Sequence, residues 1–407
     1  MHIGIAGPIA TRDVRALLDA GGTPLPAGCE GAPLLATIIR ELLRRGHRVS
    51  AFTLSSDLPL SDDARVVANG SAFSLHLVPA RRRAWPPNGR RPGRIIDLYA
   101  FERRGLQAAI ESVRPDVIHA HWAYEFAWAA LRTGLPHLVT CHDSPIAVAR
   151  FERDFRHGAY RWLRAAMAWH VLRNATRVTT VSPYMVEQLR ALCRSPVQVV
   201  GNPISDRPQA AGPAARSARL RVLMVCNGWG TRKNGDAGLR AYALLRQRLP
   251  GVELHLYGRG TEQGGPAWHS WRALGMPGRA CFHGAVSHDE VLDAMAAGSL
   301  MLHPALEESF GAVLAEAMSA GMPVVAGRHS GAVPWVVGDG GELVDVTRPE
   351  AMADAMLALL LDPAGARARA GRGRDRMRAW FSPSAVAVQY EREYEAVLAA
   401  ARAGVAA

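Results

Sequence analysis

HPALEESFGAVLAEAMSAGMPVV, residues 303–325, carries more information than any other part of this 407-residue chain. The apolar run Leu300–Leu302 before it has the character of a strand, and a short loop follows. A helix is expected to start near Phe310 with Ser309 as its N-cap, and Gly311 lets a ligand come close to the backbone. The first-turn N–H groups of a helix have no intrahelical partners, so those of Phe310, Gly311, Ala312 and Val313 suit a phosphate. Glu308 sits just ahead and Glu316 eight residues on, about 12 Å along the axis if the spacing is helical throughout. That separation suits a nucleotide diphosphate-sugar, with its sugar near Glu308, its pyrophosphate on the N–H groups and its ribose near Glu316.

Outward from this stretch, short apolar runs alternate with helix-like segments. In the second half the runs are Arg221–Cys226, Glu253–Tyr257, Cys281–His283, Ser299–His303, Pro323–Ala326 and Glu342–Val344. In the first half they are His2–Gly7, Arg48–Leu54, Ser74–Pro79, Val117–His121, His137–Cys141, Arg177–Val181 and Val197–Val200. Helices are expected over Leu34–Arg45, which Gly46 stops, over Leu106–Val113 and over Phe151–Asn174. Such alternation implies parallel sheets covered on both faces. Asp206–Ser217, DRPQAAGPAARS, lacks apolar periodicity and suits a linker. Arg367–Ala407 is helical in character, with Val386, Tyr390, Tyr394 and Val397 at helical spacing. The expected organisation is therefore a first α/β domain over 1–207, a linker over 208–218, a second α/β domain over 219–378 and a final helix over 379–407. Two such domains form a cleft, and ligands of open parallel sheets bind at the carboxyl ends of the strands.

The composition, 49% hydrophobic and 21% charged, is globular and excludes disorder, collagen and coiled coil. Of the +12 net charge, residues 1–210 hold +10 (27 Arg against 17 acidic residues). A field of that sign draws anionic partners. Arg81–Arg83, Arg90, Arg91, Arg94, Arg103 and Arg104, with Trp85 and Tyr99 among them, read either as a solvated loop or as a patch for an anionic acceptor or membrane surface. No nucleic-acid motif accompanies them. Only one lysine, Lys233, is present, in the Gly-rich turn NGWGTRKN. Five scattered cysteines make neither a disulfide framework nor a zinc module. The start, MHIGIAGPIA, reads as a strand, and no apolar run is long enough to span a membrane. A cytoplasmic protein is expected, at most peripheral at the inner face of a membrane. His119 and His121 lack an accompanying carboxylate or Cys cluster and read as strand-end residues.

Glu308-x7-Glu316 resembles the signature of retaining GT-B glycosyltransferases of family 4. The resemblance extends over nearly the whole chain: GHRV at 46–49, DVIHAHW at 116–122, TCHD at 140–143, TVSPYM at 180–185, VVGNPI at 199–204, VCNGWGTRKN at 225–234, FHGAVSHDEV at 282–291 and SGAVPWVV at 330–337. It implies two Rossmann-like domains whose parallel sheets face a central cleft, with the last helix crossing back to the first domain. It also implies that Glu308 meets hydroxyls of the transferred sugar and Glu316 the donor ribose. Lys233 matches the Lys of the family's phosphate-binding basic pair, but Gly228 stands where the Arg is expected, so Arg232 is the candidate replacement. His142 matches a His near the reacting sugar, and Asn202 a loop facing the cleft. Gly28 and Gly31 match a Gly-rich loop near phosphate and acceptor, without the usual adjacent pair. Arg259 and Val286 flank the base. With no D-x-D sequence, neither metal nor cofactor is expected. The implied partners are a UDP- or GDP-sugar donor and a glycan or lipid-linked acceptor, as in polysaccharide, lipopolysaccharide or glycolipid assembly. A nucleotide-sugar epimerase of the same fold, or a non-catalytic binding subunit, is the alternative.

Overall fold

In a computed structural model of the protein, residues 1–19, 24–151, 154–204, 219–276 and 279–405 are described. The linker expected over 208–218 lies outside them. The chain divides into two compact units, Met1–Pro203 with Pro383–Ala407, and Ile204–Ser382.

In the first unit, strands β1 (His2–Ala6), β2 (Arg48–Ser55), β3 (Val66–Asn69), β4 (Phe73–Pro79), β5 (Val117–His121), β6 (His137–Cys141), β7 (Val178–Thr180) and β8 (Val197–Val199) form a sheet ordered β3-β4-β2-β1-β5-β6-β7-β8. Every pairing is parallel except β3 with β4. The interior strands β1, β5 and β6 are almost wholly buried, because helices cover both faces of a parallel sheet. The short, half-exposed β3, VVAN, is the one strand of this sheet that is not among the expected runs.

The helix Pro33–Arg44 turns Leu35, Ile38, Ile39 and Leu42 inward and ends at Gly46, whose φ of +86° terminates it. The helix expected from Phe151 begins instead at Phe155, because Asp154 is extended and its carboxylate accepts from His157 N–H. A separate short helix, Pro145–Arg150, precedes it.

In the second unit, β9 (Arg221–Val225), β10 (Glu253–Tyr257), β11 (Ala280–Gly284), β12 (Leu300–His303), β13 (Val324–Gly327) and β14 (Glu342–Val344) form a parallel sheet ordered β11-β10-β9-β12-β13-β14. Position 379 lies within the helix Pro363–Phe381; the break falls at Ser382, and the last helix runs Pro383–Val405. Its Val386, Ala387, Tyr390, Tyr394 and Val397 are buried in one core with Ile3, Leu35 and Leu138 of the first unit. Arg45 Nε and Nη2 donate to the Glu391 carboxylate (2.6 and 2.7 Å), and Tyr394 Oη lies 2.8 Å from His119 Nδ1. Among the described residues no helix is long and apolar enough to cross a membrane.

Candidate active site

In the second unit, the loops after neighbouring strands β9 and β12 dock on each other through backbone and side chain. Leu306 N–H donates to Arg232 O (2.9 Å), and Asn234 Nδ2 donates to Pro304 O (3.0 Å) and Val346 O (2.9 Å). Asn234 has φ +53°, a left-handed conformation that Asn tolerates better than most residues. The loop after β13 completes the support, with Ser330 Oγ donating to Ala305 O (2.6 Å) and Ala332 N–H to Glu308 O (2.9 Å).

This scaffold brings four charges together. Lys233 Nζ lies 2.5 Å from Glu308 Oε1, and Arg232 Nη1 lies 3.1 Å from Glu307 Oε2. Both basic residues reach the same acidic pair because Thr231–Lys233 is a 3-10 turn rather than an alternating strand. Burial alone would push the Glu308 carboxyl up, but contact with His303 (3.4 Å) and the charge of Lys233 outweigh it and hold the group well below the usual carboxylate range. For Glu307 burial prevails over Arg232 and raises the carboxyl. Lys233 has two ammonium hydrogens, and Glu308 has Oε2, without a partner among the described residues.

The helix beside them starts later than expected. It spans Ala312–Ser319, with Gly311 rather than Ser309 at the N-cap, because Gly311 takes φ +85° and interrupts the helical run. The N–H groups of Gly311, Ala312 and Val313 have no partner among the described residues, and Ala312 is exposed. The Phe310 side chain is buried against Trp335 and Phe381, leaving only its backbone for a ligand. Since the segment from Glu308 to Gly311 is not helical, the 12 Å separation does not apply. Glu316 lies within the helix, its Oε1 2.9 Å from His288 Nε2 on the helix that follows β11.

Gly228 (φ +92°) donates its N–H to Arg259 O at 2.8 Å. A Cβ there would meet open space, so strain of the left-handed backbone, not crowding, sets it against a larger residue. The Arg259 side chain is exposed and Val286 half-buried, each just past the end of its strand.

The first unit holds a different cluster. His142 is buried, and its ring nitrogens are 2.9 Å from His121 Nδ1 and 3.1 Å from Asn202 Oδ1. With Asn202 Oδ1 facing the ring, His142 Nδ1 carries the proton and Nε2 accepts from His121. Burial holds His142 down at about 4, against which the Asn202 bond acts weakly, so the ring is neutral. Trp122 lies against it, ring centroids 4.3 Å apart, at φ +64°, an outlier for so bulky a residue. His119 sits inside β5 and links Tyr394 to Thr140, as a structural residue does. His121 and Trp122 belong to this cluster, although no spacing in the chain signals that they meet His142.

Gly28 (φ +76°) is needed for packing: a Cβ there would lie 2.5 Å from Ile9 O. Gly31 (φ +117°) is exposed, and a Cβ there would meet open space. Of the arginine cluster, Arg81 is fully buried on Glu102 and Asp97, and Arg103 packs over Trp128. Arg94 donates to Arg81 O (3.0 Å) and Arg104 is exposed, while Arg82, Arg83, Arg90 and Arg91 line a cavity of about 730 Å³ with Leu58 and Leu60, Arg82 lying 3.3 Å from Asp57 and Arg91 3.8 Å from Asp62.

The pattern described as Glycosyltransferase Family 4 matches residues 33–207, and that described as Glycosyl transferases group 1 matches 219–362. The N-acetyl-α-D-glucosaminyl L-malate synthase of Bacillus anthracis is 35% identical over 379 residues, 88% of this chain and 92% of that protein. The D-inositol 3-phosphate glycosyltransferase of Corynebacterium diphtheriae is 33% identical over 374 residues, 84% of this chain and 82% of that protein. Sucrose-phosphate synthase from Thermosynechococcus elongatus superposes with a TM-score of 0.74 at 21% identity, over 98% of this chain and 99% of that one, which shows the same GT-B fold. The chain belongs to the family 4 glycosyltransferases.

Proposed function

We propose that this glycosyltransferase moves a hexose-type sugar from a UDP- or GDP-sugar to an acceptor hydroxyl with retention of anomeric configuration. The observation that carries the reading is the Lys233–Glu308 pair set beside the open N–H groups of Gly311, Ala312 and Val313. The N–H groups and the spare ammonium hydrogens of Lys233 receive the charge of the departing diphosphate. Arg232, whose Nη2 and Nε are not taken by Glu307, supplies the second cation in place of Gly228. Glu308 Oε2 accepts from a sugar hydroxyl, and Glu316 from the ribose. Arg259 and Val286 flank the base, and His142, neutral, serves the acceptor hydroxyl as a hydrogen-bond partner. The departing phosphate takes the acceptor's proton on the face where the new bond forms, so no separate nucleophile or metal is required.

The acceptor is anionic. The four-arginine cavity favours such a group, and both curated relatives bear names with an anionic acceptor, malate in one and inositol phosphate in the other. A glycan or lipid-linked phosphate, met at a membrane surface in polysaccharide or glycolipid assembly, fits the same cavity.

The test is to incubate UDP- and GDP-sugars with and without anionic acceptors. The reading expects nucleoside diphosphate release that depends on acceptor, with the anomeric configuration kept in the product. Release without acceptor, or epimerised donor, overturns it. A thermal shift with UDP against GDP identifies the base, since ligand at 100 times its Kd adds about 2.7 kcal/mol.

A further inference from the structure

Strands β10 and β11 put three metal-binding side chains on one face at the edge of the second unit's sheet. Alternation along β10 sends Glu253, His255 and Tyr257 to one side, and along β11 it sends Cys281 and His283 to the same side. His255 pairs with Cys281 in register. One ligand atom from each of His255, Cys281 and His283 lies within 4.8 Å of the others. His255 Nδ1 and His283 Nε2 face each other at 3.1 Å. The other His255 nitrogen, Nε2, is buried without a hydrogen-bond partner, and Glu253 Oε2 is 3.6 Å away, just out of reach. Tyr257 lies flat on the His283 ring (4.2 Å, 0°) and fixes its plane.

We propose that His255, Cys281 and His283 bind a divalent cation of the zinc class. Two imidazoles and a thiolate are the donor set of a borderline-soft ion and exclude the hard ions that take oxygen ligands. The two nitrogens, 3.1 Å apart in a hydrogen bond, need separate only slightly to reach the roughly 3.3–3.4 Å that tetrahedral ligands take around one ion at bonds of about 2.0–2.1 Å. Binding through His255 Nδ1 leaves the proton on Nε2, directed at Glu253, in the carboxylate–histidine–metal arrangement that orients a ligand ring. The Cys281 thiol gives its proton to solvent as the metal–sulfur bond forms. Two arginines bear on the site: Arg219 shares Glu253 (2.9 Å), and Arg221 opposes the cation through its charge on His255. The fourth position is left to water. Such an ion ties the edge strand β11 to β10, just before the loops that carry Val286 and Arg259.

The sequence offers no motif for this site, since the ligands come from two strands and the histidines are not close in the chain. The test uses the full chain, stripped with a chelator and titrated with Zn²⁺ alone, then Co²⁺ alone, with no nucleotide or sugar present. One tightly bound Zn²⁺ per chain is expected, with a thiolate charge-transfer band in the Co²⁺ spectrum that disappears in Cys281→Ser. His283→Asn, at an exposed position, should weaken Zn²⁺ binding at least tenfold, and Glu253→Gln by about 10–100-fold. Absence of stoichiometric Zn²⁺, or a Co²⁺ spectrum indifferent to Cys281→Ser and His283→Asn, overturns the proposal. Neither readout depends on sugar transfer, so its failure leaves the transferase reading untouched.

Discussion

The two polar clusters at strand ends solve the problem of burial in opposite ways. In the first unit, His121 and His142 are buried beside one another with Asn202, and desolvation leaves both rings neutral. In the second, Glu308 is as enclosed, yet Lys233 and His303 keep it ionised. A buried group either gives up its charge or finds an opposite one. The neutral cluster can therefore orient hydrogen bonds, whereas the ionised one can meet developing charge.

The sharpest way to break that contrast is to neutralise one side of the ion pair. Glu308→Gln should lower kcat by about 10²–10³-fold while the protein still melts cooperatively, as steady-state kinetics and calorimetry would record. A loss under tenfold would remove Glu308 from the chemistry.

Acid separates the two clusters next. His76 and His142 sit at about 4 in the folded protein, and His119 and His121 well below 6.5, in each case chiefly through burial. The unfolded chain takes up protons that the folded one refuses, so stability is full above pH 6.5 and falls as pH drops from 6.5 towards 4. At about 1.4 kcal/mol per pKa unit, His76 and His142 together cost the first unit on the order of several kcal/mol over that window. Glu308, depressed below 4.5, keeps its contribution above that pH and loses it only at lower pH. Calorimetry at pH 7 and pH 5 should show the first unit's transition falling first; a common shift of both would contradict this.

A double-mutant cycle of Lys233→Met and Glu308→Gln should then give a stability coupling of about 1–3 kcal/mol by denaturant unfolding, because each single change takes from an enclosed charge its partner in the pair. A smaller effect, about 1 kcal/mol, is expected for Gly311→Ala, where φ is +85° but a Cβ has ordinary van der Waals space. Gly28→Ala should cost more, since Ile9 O lies 2.5 Å from the new carbon, and equal melting temperatures for the two variants would refute the distinction.

How far the sequence could be read differs from one feature to the next. The strand carrying Leu300–Leu302 was legible because an apolar run in a buried parallel strand needs no partner to be recognised. β3 was not, since its run VVAN is only four residues long and half-exposed, and it is placed by backbone pairing with β4. Lys233 and Glu308 stood out one at a time, by rarity and by spacing. That Arg232 reaches Glu307 followed from a 3-10 turn no alternation rule predicts.

By itself the sequence determined the alternation of strands and helices, the apolar face of Val386, Tyr390, Tyr394 and Val397, and the residue types at the charged site. Those properties arise from neighbours within a turn or a strand, where periodicity is visible. Only the tertiary structure decided that His121 meets His142, that Glu308 stays charged, and that His255 faces Cys281 and His283. Each of these depends on strands adjacent in the sheet but distant in the chain, and on burial, which no local pattern encodes.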